Sequence, residues 1–277
     1  METVPAAGEG ANPLRAVIAD PIPARAAKPR CAALTMVIDK GLGPAATADL
    51  LAVAADSIDF VKLAFGTAVL YPPDVLARKI RDIRAAGVEV YPGGTLLEAA
   101  VYQGAAREFL SCARQLGFTY IEVSSGTIDL APTTRRDLIR RARDMGFGVL
   151  TEVGRKDPAR PLVPQELAEQ AEADREDGAF KVIVEGRDAG RSVGIYDDAG
   201  RIRDEVLEAI VAALPDPDAI IWEAPQPQQQ AALLVRLGSA ASFGNVQPGD
   251  VVTLEAMRRG LRGDTLRRCL TGPASQG

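Results

Sequence analysis

The sequence predicts an α/β fold, a (β/α)8 TIM barrel forming one domain over 31–277, with a loosely ordered N-terminal extension over 1–30. Two observations lead there. From Leu34 onward, short β-rich runs alternate with longer amphipathic stretches, as they do when helices cross over between parallel strands. Eight such units fit into about 240 residues, the usual size of this barrel. An open doubly wound sheet is the alternative, but it commonly has fewer strands. No composition shift marks a linker to a second domain.

The units follow in order. A strand over 34–39 precedes a helix over 44–55, and a strand over 58–63 precedes a helix over 73–86 that Gly87 can stop. The third strand, 88–91, leads through Pro92-Gly93-Gly94-Thr95 into one helix ending near Gly117. Strands over 119–123 and 147–153 are followed by helices over 132–145 and 164–177, each bounded by a proline at its start and a glycine after its end. The sixth strand, 180–184, has a longer loop before its helix at 202–214. Strands over 219–222 and 241–246, with helices over 226–237 and 250–260, complete the set.

Composition excludes several kinds of chemistry. The chain has no histidine, which removes Ser-His-Asp and Cys-His nucleophiles and imidazole metal ligands. Proton transfer then falls to Lys, Glu, Asp, Tyr, Cys or water. With 32 Lys and Arg against 37 Asp and Glu, the net charge of -5 gives no general attraction for nucleic acid. Cys31, Cys112 and Cys269 are far apart and odd in number, so a reducing cytoplasm is expected rather than a disulfide framework. Residues 1–30, rich in Ala and Pro, lack the pattern of a secretory signal, and no apolar run is long enough to span a membrane.

In a (β/α)8 barrel the active site lies at the C-terminal ends of the strands. Those positions hold Lys40, Lys62, Glu122, Glu152, Glu185 and Glu223, with Arg155, Lys156, Arg187 and Arg191 on the following loops and Asn245 on the last strand. Carboxylates gathered at one mouth raise one another's pKa unless a cation intervenes, and oxygen ligands without imidazole or paired thiolate favour Mg2+. Glu122, Glu152 and Glu185 are the expected metal ligands, with Glu185 also near the reacting atoms. Ion pairs with Lys40, Lys62 or Arg187 are the structural alternative. Lys156, beside Arg155, is the candidate general acid or base. Lys40, Lys62, Arg155, Arg187, Arg191 and Asn245 are the expected binders of small anions. The cationic run from Arg258 to Arg262 would sit about 12 Å along its helix, which favours a structural or subunit-contact role over phosphate binding.

The fragments DKGLGP (39–44), DFVKLAFGT (59–67), VYPGGTLLE (90–98), LTEVGRK (150–156), VIVEGRDAG (182–190), WEAPQ (222–226) and MRRGLRGDT (257–265) resemble the phosphosulfolactate synthase family, in order, over nearly the whole barrel. The resemblance implies a Mg2+-dependent (β/α)8 carbon-sulfur lyase that joins sulfite to phosphoenolpyruvate, giving (2R)-2-phospho-3-sulfolactate in the first step of a route to coenzyme M. It also implies that Lys156 is the catalytic acid. A homo-oligomer with no nucleic-acid or membrane partner is expected. One departure is Ser125 in Val123-Ser124-Ser125-Gly126, where the family pattern is acidic, so that one carboxylate is subtracted from the mouth. The family also contains plant heat-stress relatives. A barrel enzyme using another nucleophile or enol acceptor, and a non-enzymatic relative, are therefore the rival readings.

Overall fold

The computed structural model describes residues 12–154 and 162–271. Eight parallel strands form a nearly closed barrel: β1 (Thr35–Asp39), β2 (Phe60–Leu63), β3 (Glu89–Pro92), β4 (Tyr120–Val123), β5 (Gly148–Val153), β6 (Lys181–Val184), β7 (Ile220–Glu223) and β8 (Ser242–Val246). Their order is β3-β2-β1-β8-β7-β6-β5-β4, so the first and last strands pair and an open doubly wound sheet is excluded. At the β3/β4 seam the ladder is replaced by Thr119, whose amide donates to the Val90 carbonyl at 3.1 Å while its Oγ1 accepts from the Val90 amide at 3.0 Å.

The helices are α1 (Pro44–Ala54), α2 (Pro73–Ala85), α3 (Gly94–Tyr102), α4 (Ala106–Leu116), α5 (Pro132–Asp144), α6 (Pro164–Asp177), α7 (Asp204–Ala213), α8 (Pro227–Leu237), α9 (Val251–Arg258) and α10 (Gly263–Thr271). Two expectations change here. The single helix expected after β3 is two helices, because Gly104 adopts a left-handed φ of 70° between them. The cationic run beyond α9 leads into a further helix, α10. Among the described residues no helix is long and apolar enough to cross a membrane.

Strand alternation sorts the side chains into two cores. Val61, Ile121, Val149, Val182 and Ile220 face the helices, whereas Met36, Phe60, Tyr91, Leu150, Ile183 and Ile221 fill the barrel axis. The Phe60 and Tyr120 rings meet edge to face, 4.9 Å between centroids. Two residues beyond Phe60, Tyr120, Leu150, Ile183 and Ile221, at or just past the strand ends, the inward positions become Lys62, Glu122, Glu152, Glu185 and Glu223. An apolar plug thus supports a charged layer at the C-terminal mouth.

The opposite end of the barrel is closed by arginines. Buried Arg258 donates to the Ser239, Ala241 and Leu34 carbonyls at 2.7, 2.6 and 3.2 Å and lies 4.7 Å from the Phe243 ring centroid. Burial lowers its pKa to about 9. Its role is structural. Part of the N-terminal extension is anchored: Arg25 pairs with Glu255 at 2.7 Å, Arg30 pairs with Asp59 at 3.2 Å, and the Lys28 ammonium donates to Ala55 and Gly87 carbonyls. Proline and alanine content gave no sign of these pairs, because their partners are far away in sequence.

Candidate active site

At the C-terminal mouth lies a cavity of about 300 Å³. Lys62 stands at its centre. Its Nζ is 2.9 Å from Glu122 Oε2, 3.4 Å from Glu152 Oε2 and 3.5 Å from Glu223 Oε1, with all four side chains buried. Burial is the largest single influence on Lys62 and lowers its pKa, but the combined attraction of Glu122, Glu152 and Glu223 holds the ammonium well above the ordinary lysine range. Desolvation has the opposite effect on Glu122 and Glu223, raising both above the usual carboxylate range against the pull of Lys62.

Backbone amides fix the orientation of these carboxylates. Glu122 Oε1 accepts from the Gly94 amide at 2.7 Å, Glu223 Oε2 from Gly186 at 2.9 Å, and Glu185 Oε1 from Arg187 at 2.7 Å. Glu152, Glu185 and Glu223 each offer an oxygen within 4.8 Å of the others. Sequence reasoning expected Glu122 in this group, and the geometry puts Glu223 there instead. Glu223 was visible at its strand end, but the sequence does not reveal which of the four carboxylates the barrel brings closest together.

Gly94 permits this arrangement. A Cβ there would lie 2.3 Å from Ser124 Oγ and 2.7 Å from Glu122 Oε1. Gly94→Ala is therefore expected to displace Glu122 and destabilise the protein by ~1–3 kcal/mol. Thermal melting and turnover of the purified variant check this; both should fall.

The remaining predicted residues are placed as follows. Lys40 is partly exposed on the rim, 3.1 Å from Asp188 and 5.7 Å from the Phe65 ring centroid. Arg187 lines the cavity from a left-handed backbone, φ 59°. Asn245 also lines it, is buried, has a φ of 54°, and its Oδ1 has no hydrogen-bond partner among the described residues. Arg191 is exposed and does not line the cavity, whereas Arg187 and Asp188 of the same loop do. Arg155 and Lys156 lie outside the described residues.

Several supporting residues were not legible as such. Asp39 accepts from the amides of Gly41 and Leu42, both at 2.8 Å, and pairs with buried Lys79 at 2.5 Å, which shapes the turn carrying Lys40. Glu98 accepts from Ser124 Oγ and from the Thr127 and Ile128 amides at 2.6, 2.8 and 2.7 Å, fixing the loop after β4. Arg135 donates to Asp174 and to the Glu152 carbonyl, and its Nη1 reaches Ser125 Oγ at 3.3 Å. The serine in the place of a carboxylate is thus part of a neutralised arginine network behind β5.

Comparison with known proteins agrees with this architecture. A family model described as (2R)-phospho-3-sulfolactate synthase (ComA) matches residues 23–264. Phosphosulfolactate synthase of Methanothermobacter thermautotrophicus is 43% identical over 246 residues, covering 88% of this chain and 95% of the relative. That of Bacillus subtilis is 34% identical over 248 residues, covering 88% and 96%. Among solved structures, 3-hexulose-6-phosphate synthase from Salmonella typhimurium superposes with a TM-score of 0.53 at 15% identity, covering 84% of this chain and 99% of that one, a likeness of fold alone.

Proposed function

The chain belongs to the phosphosulfolactate synthase family, and from that premise we propose that it is a Mg2+-dependent lyase that adds sulfite to phosphoenolpyruvate, forming (2R)-2-phospho-3-sulfolactate. The observation that carries this reading is the group of Glu152, Glu185 and Glu223 oxygens beside a buried ammonium in the strand-end cavity. Hard carboxylate oxygens with room for substrate and water suit Mg2+, so the residues present fit the ion, and these three would hold it. Bound there, it supplies positive charge against the negative charge that develops on a substrate oxygen.

The chain's own groups do the rest. Lys62 and Arg187 face the cavity and Lys40 stands at its rim, giving cations for a substrate that carries a carboxylate and a phosphate. The N-terminus of α3, at Gly94 and Thr95, opens on the same cavity and favours an anion there. Asn245 offers an amide to an oxygen of that substrate. The sulfur lone pair of sulfite forms a bond to C3 of phosphoenolpyruvate while the C2–C3 π pair moves onto C2 and its carboxylate. A proton delivered to C2 completes the addition, with no oxidant and no leaving group. Lys156, two residues beyond the last described residue of β5's loop, is the proposed donor, with Arg155 beside it. The proposal further takes the enzyme to be cytoplasmic and homo-oligomeric, acting at the first step of coenzyme M biosynthesis.

Incubation with phosphoenolpyruvate, Mg2+ and either sulfite or a thiol, followed by mass analysis, tests the reading. A phosphate-retaining sulfite adduct, and none with the thiol, is expected. A thiol adduct alone would point to the related enzyme with a different nucleophile, and an unconsumed enol phosphate would overturn the proposal.

A further inference from the structure

The loop between β6 and α7 begins with Gly186 and Arg187, which bind the Glu223 and Glu185 carboxylates through their amides, and its next residue, Asp188, meets Lys40 across the rim. This loop is tied to the start of α8 by two glutamines. Gln229 Nε2 donates to the Gly190 carbonyl at 2.7 Å and to the Gly200 carbonyl at 2.9 Å, and Gln226 Nε2 donates to the Ala189 carbonyl at 2.7 Å. The Gln229 amide has a defined orientation, because its Oε1 accepts from the Gln226 backbone amide at 3.2 Å as part of a capping box.

The loop is shaped to receive these amide groups. Gly190 and Gly200 have left-handed φ values of 62° and 81°. A Cβ on Gly190 would lie 2.6 Å from the Gln229 amide, and one on Gly200 would lie 3.3 Å from that of Gln226. Gln229 is itself 2% exposed, deep for a side chain that touches no part of the cavity. Buried carbonyls need donors, and Gln229 supplies one to both the Gly190 and the Gly200 carbonyl, while Gln226 holds the more exposed Ala189 carbonyl. The first anchored carbonyl, that of Ala189, is two residues from Arg187.

We infer that Gln229 and Gln226 are positioning residues that act through Arg187, fixing its guanidinium over the cavity by anchoring the β6–α7 loop to the N-terminus of α8. This deepens the functional reading above and rests on it for its kinetic consequences, though the anchoring itself does not. Helix α8 is otherwise remote from the chemistry, and the WEAPQ fragment acquires a role: its Glu lies in the carboxylate cluster and its Gln holds the loop that orients that Glu.

The full-length protein tests this with Gln229→Leu and, from a half-buried position that cannot disturb the core, Gln226→Leu. Each is expected to raise the rate of tryptic cleavage after Arg187 and Arg191 about tenfold, with peptides identified by mass. In the sulfite addition assay each should raise the KM for phosphoenolpyruvate more than it lowers kcat. In an Arg187→Ala background the same substitutions should cause no further loss of kcat/KM. Unchanged cleavage would overturn the anchoring. Equal losses with and without Arg187 would overturn action through Arg187. Wild type that leaves phosphoenolpyruvate unconsumed would refute the functional reading alone, while the cleavage rates would still decide the anchoring.

Discussion

Lys156→Ala is expected to lower turnover by about 10²–10⁴-fold, the range that a positioned general acid supplies, with the melting temperature unchanged. The family resemblance implies this role for Lys156, and composition and chemistry are consistent with it. Without histidine, a proton for C2 comes from another side chain or from water, and the carboxylates at the mouth are engaged with Lys62, with backbone amides and with their role toward a cation. Lys62 is the wrong donor, because three carboxylates hold its proton tightly. Lys156 follows Glu152 by only four residues in the sequence. Single-turnover kinetics in deuterated buffer would check the assignment: the variant should show slowed deuterium incorporation at C2, partly restored by added small amines. Near-normal turnover would remove Lys156 from the mechanism.

The second large effect concerns stability. Lys62→Met keeps the volume of the side chain but takes away the ammonium that pairs with Glu122, Glu152 and Glu223. Breaking a buried pair by deleting one partner leaves uncompensated charge and typically costs ~3–5 kcal/mol, which chemical denaturation of the variant should register. Its pH dependence has a definite sign. The folded pKa of Lys62 is raised, so its contribution is present at neutral pH and is lost on the alkaline side only as pH rises through that high value, while on the acid side it declines as the carboxylates it pairs with take up protons. The pKa values of Glu122 and Glu223 are raised as well, chiefly by desolvation, so the native state binds more protons than the unfolded chain between the two pKa values. Stability from these two groups therefore grows as pH falls. In Lys62→Met this growth should be larger, and the variant should recover stability relative to wild type as pH is lowered from neutral toward about 5. A constant difference across that interval would contradict the account.

Much of the barrel was legible because strand parity is a local property. Phe60 and Lys62, Leu150 and Glu152, and Ile221 and Glu223 are each separated by two residues, so an apolar inward residue followed by a charged one marks where the plug ends and the mouth begins. The supporting residues were harder to see, since their partners are distant in sequence. Arg135 belongs to a helix with four other arginines and was not singled out. It is nevertheless in phase with Leu138, Ile139 and Ala142, the buried stripe of α5, and that phase was a usable signal. Gln229 likewise precedes Leu233 by one turn on the buried face of α8. Glu98 gave less warning, and no sequence pattern distinguishes the carboxylate that Gly94 occupies from the three that come together. Ser125 made sense only once Arg135 was seen to pair with Asp174.

The central claim is that a charged layer built from Glu152, Glu185, Glu223 and Lys62 carries out sulfite addition to an enol phosphate. The most direct measurement is the rate of phosphoenolpyruvate loss in the presence of sulfite, followed by phosphorus NMR as Mg2+ is titrated into metal-free wild type and Glu223→Gln. The account predicts saturable activation by Mg2+ in wild type, appearance of an alkyl phosphate resonance as the enol phosphate resonance declines, and severe impairment in Glu223→Gln. Undiminished conversion in the presence of a chelator, or equal rates for the two proteins, would contradict it.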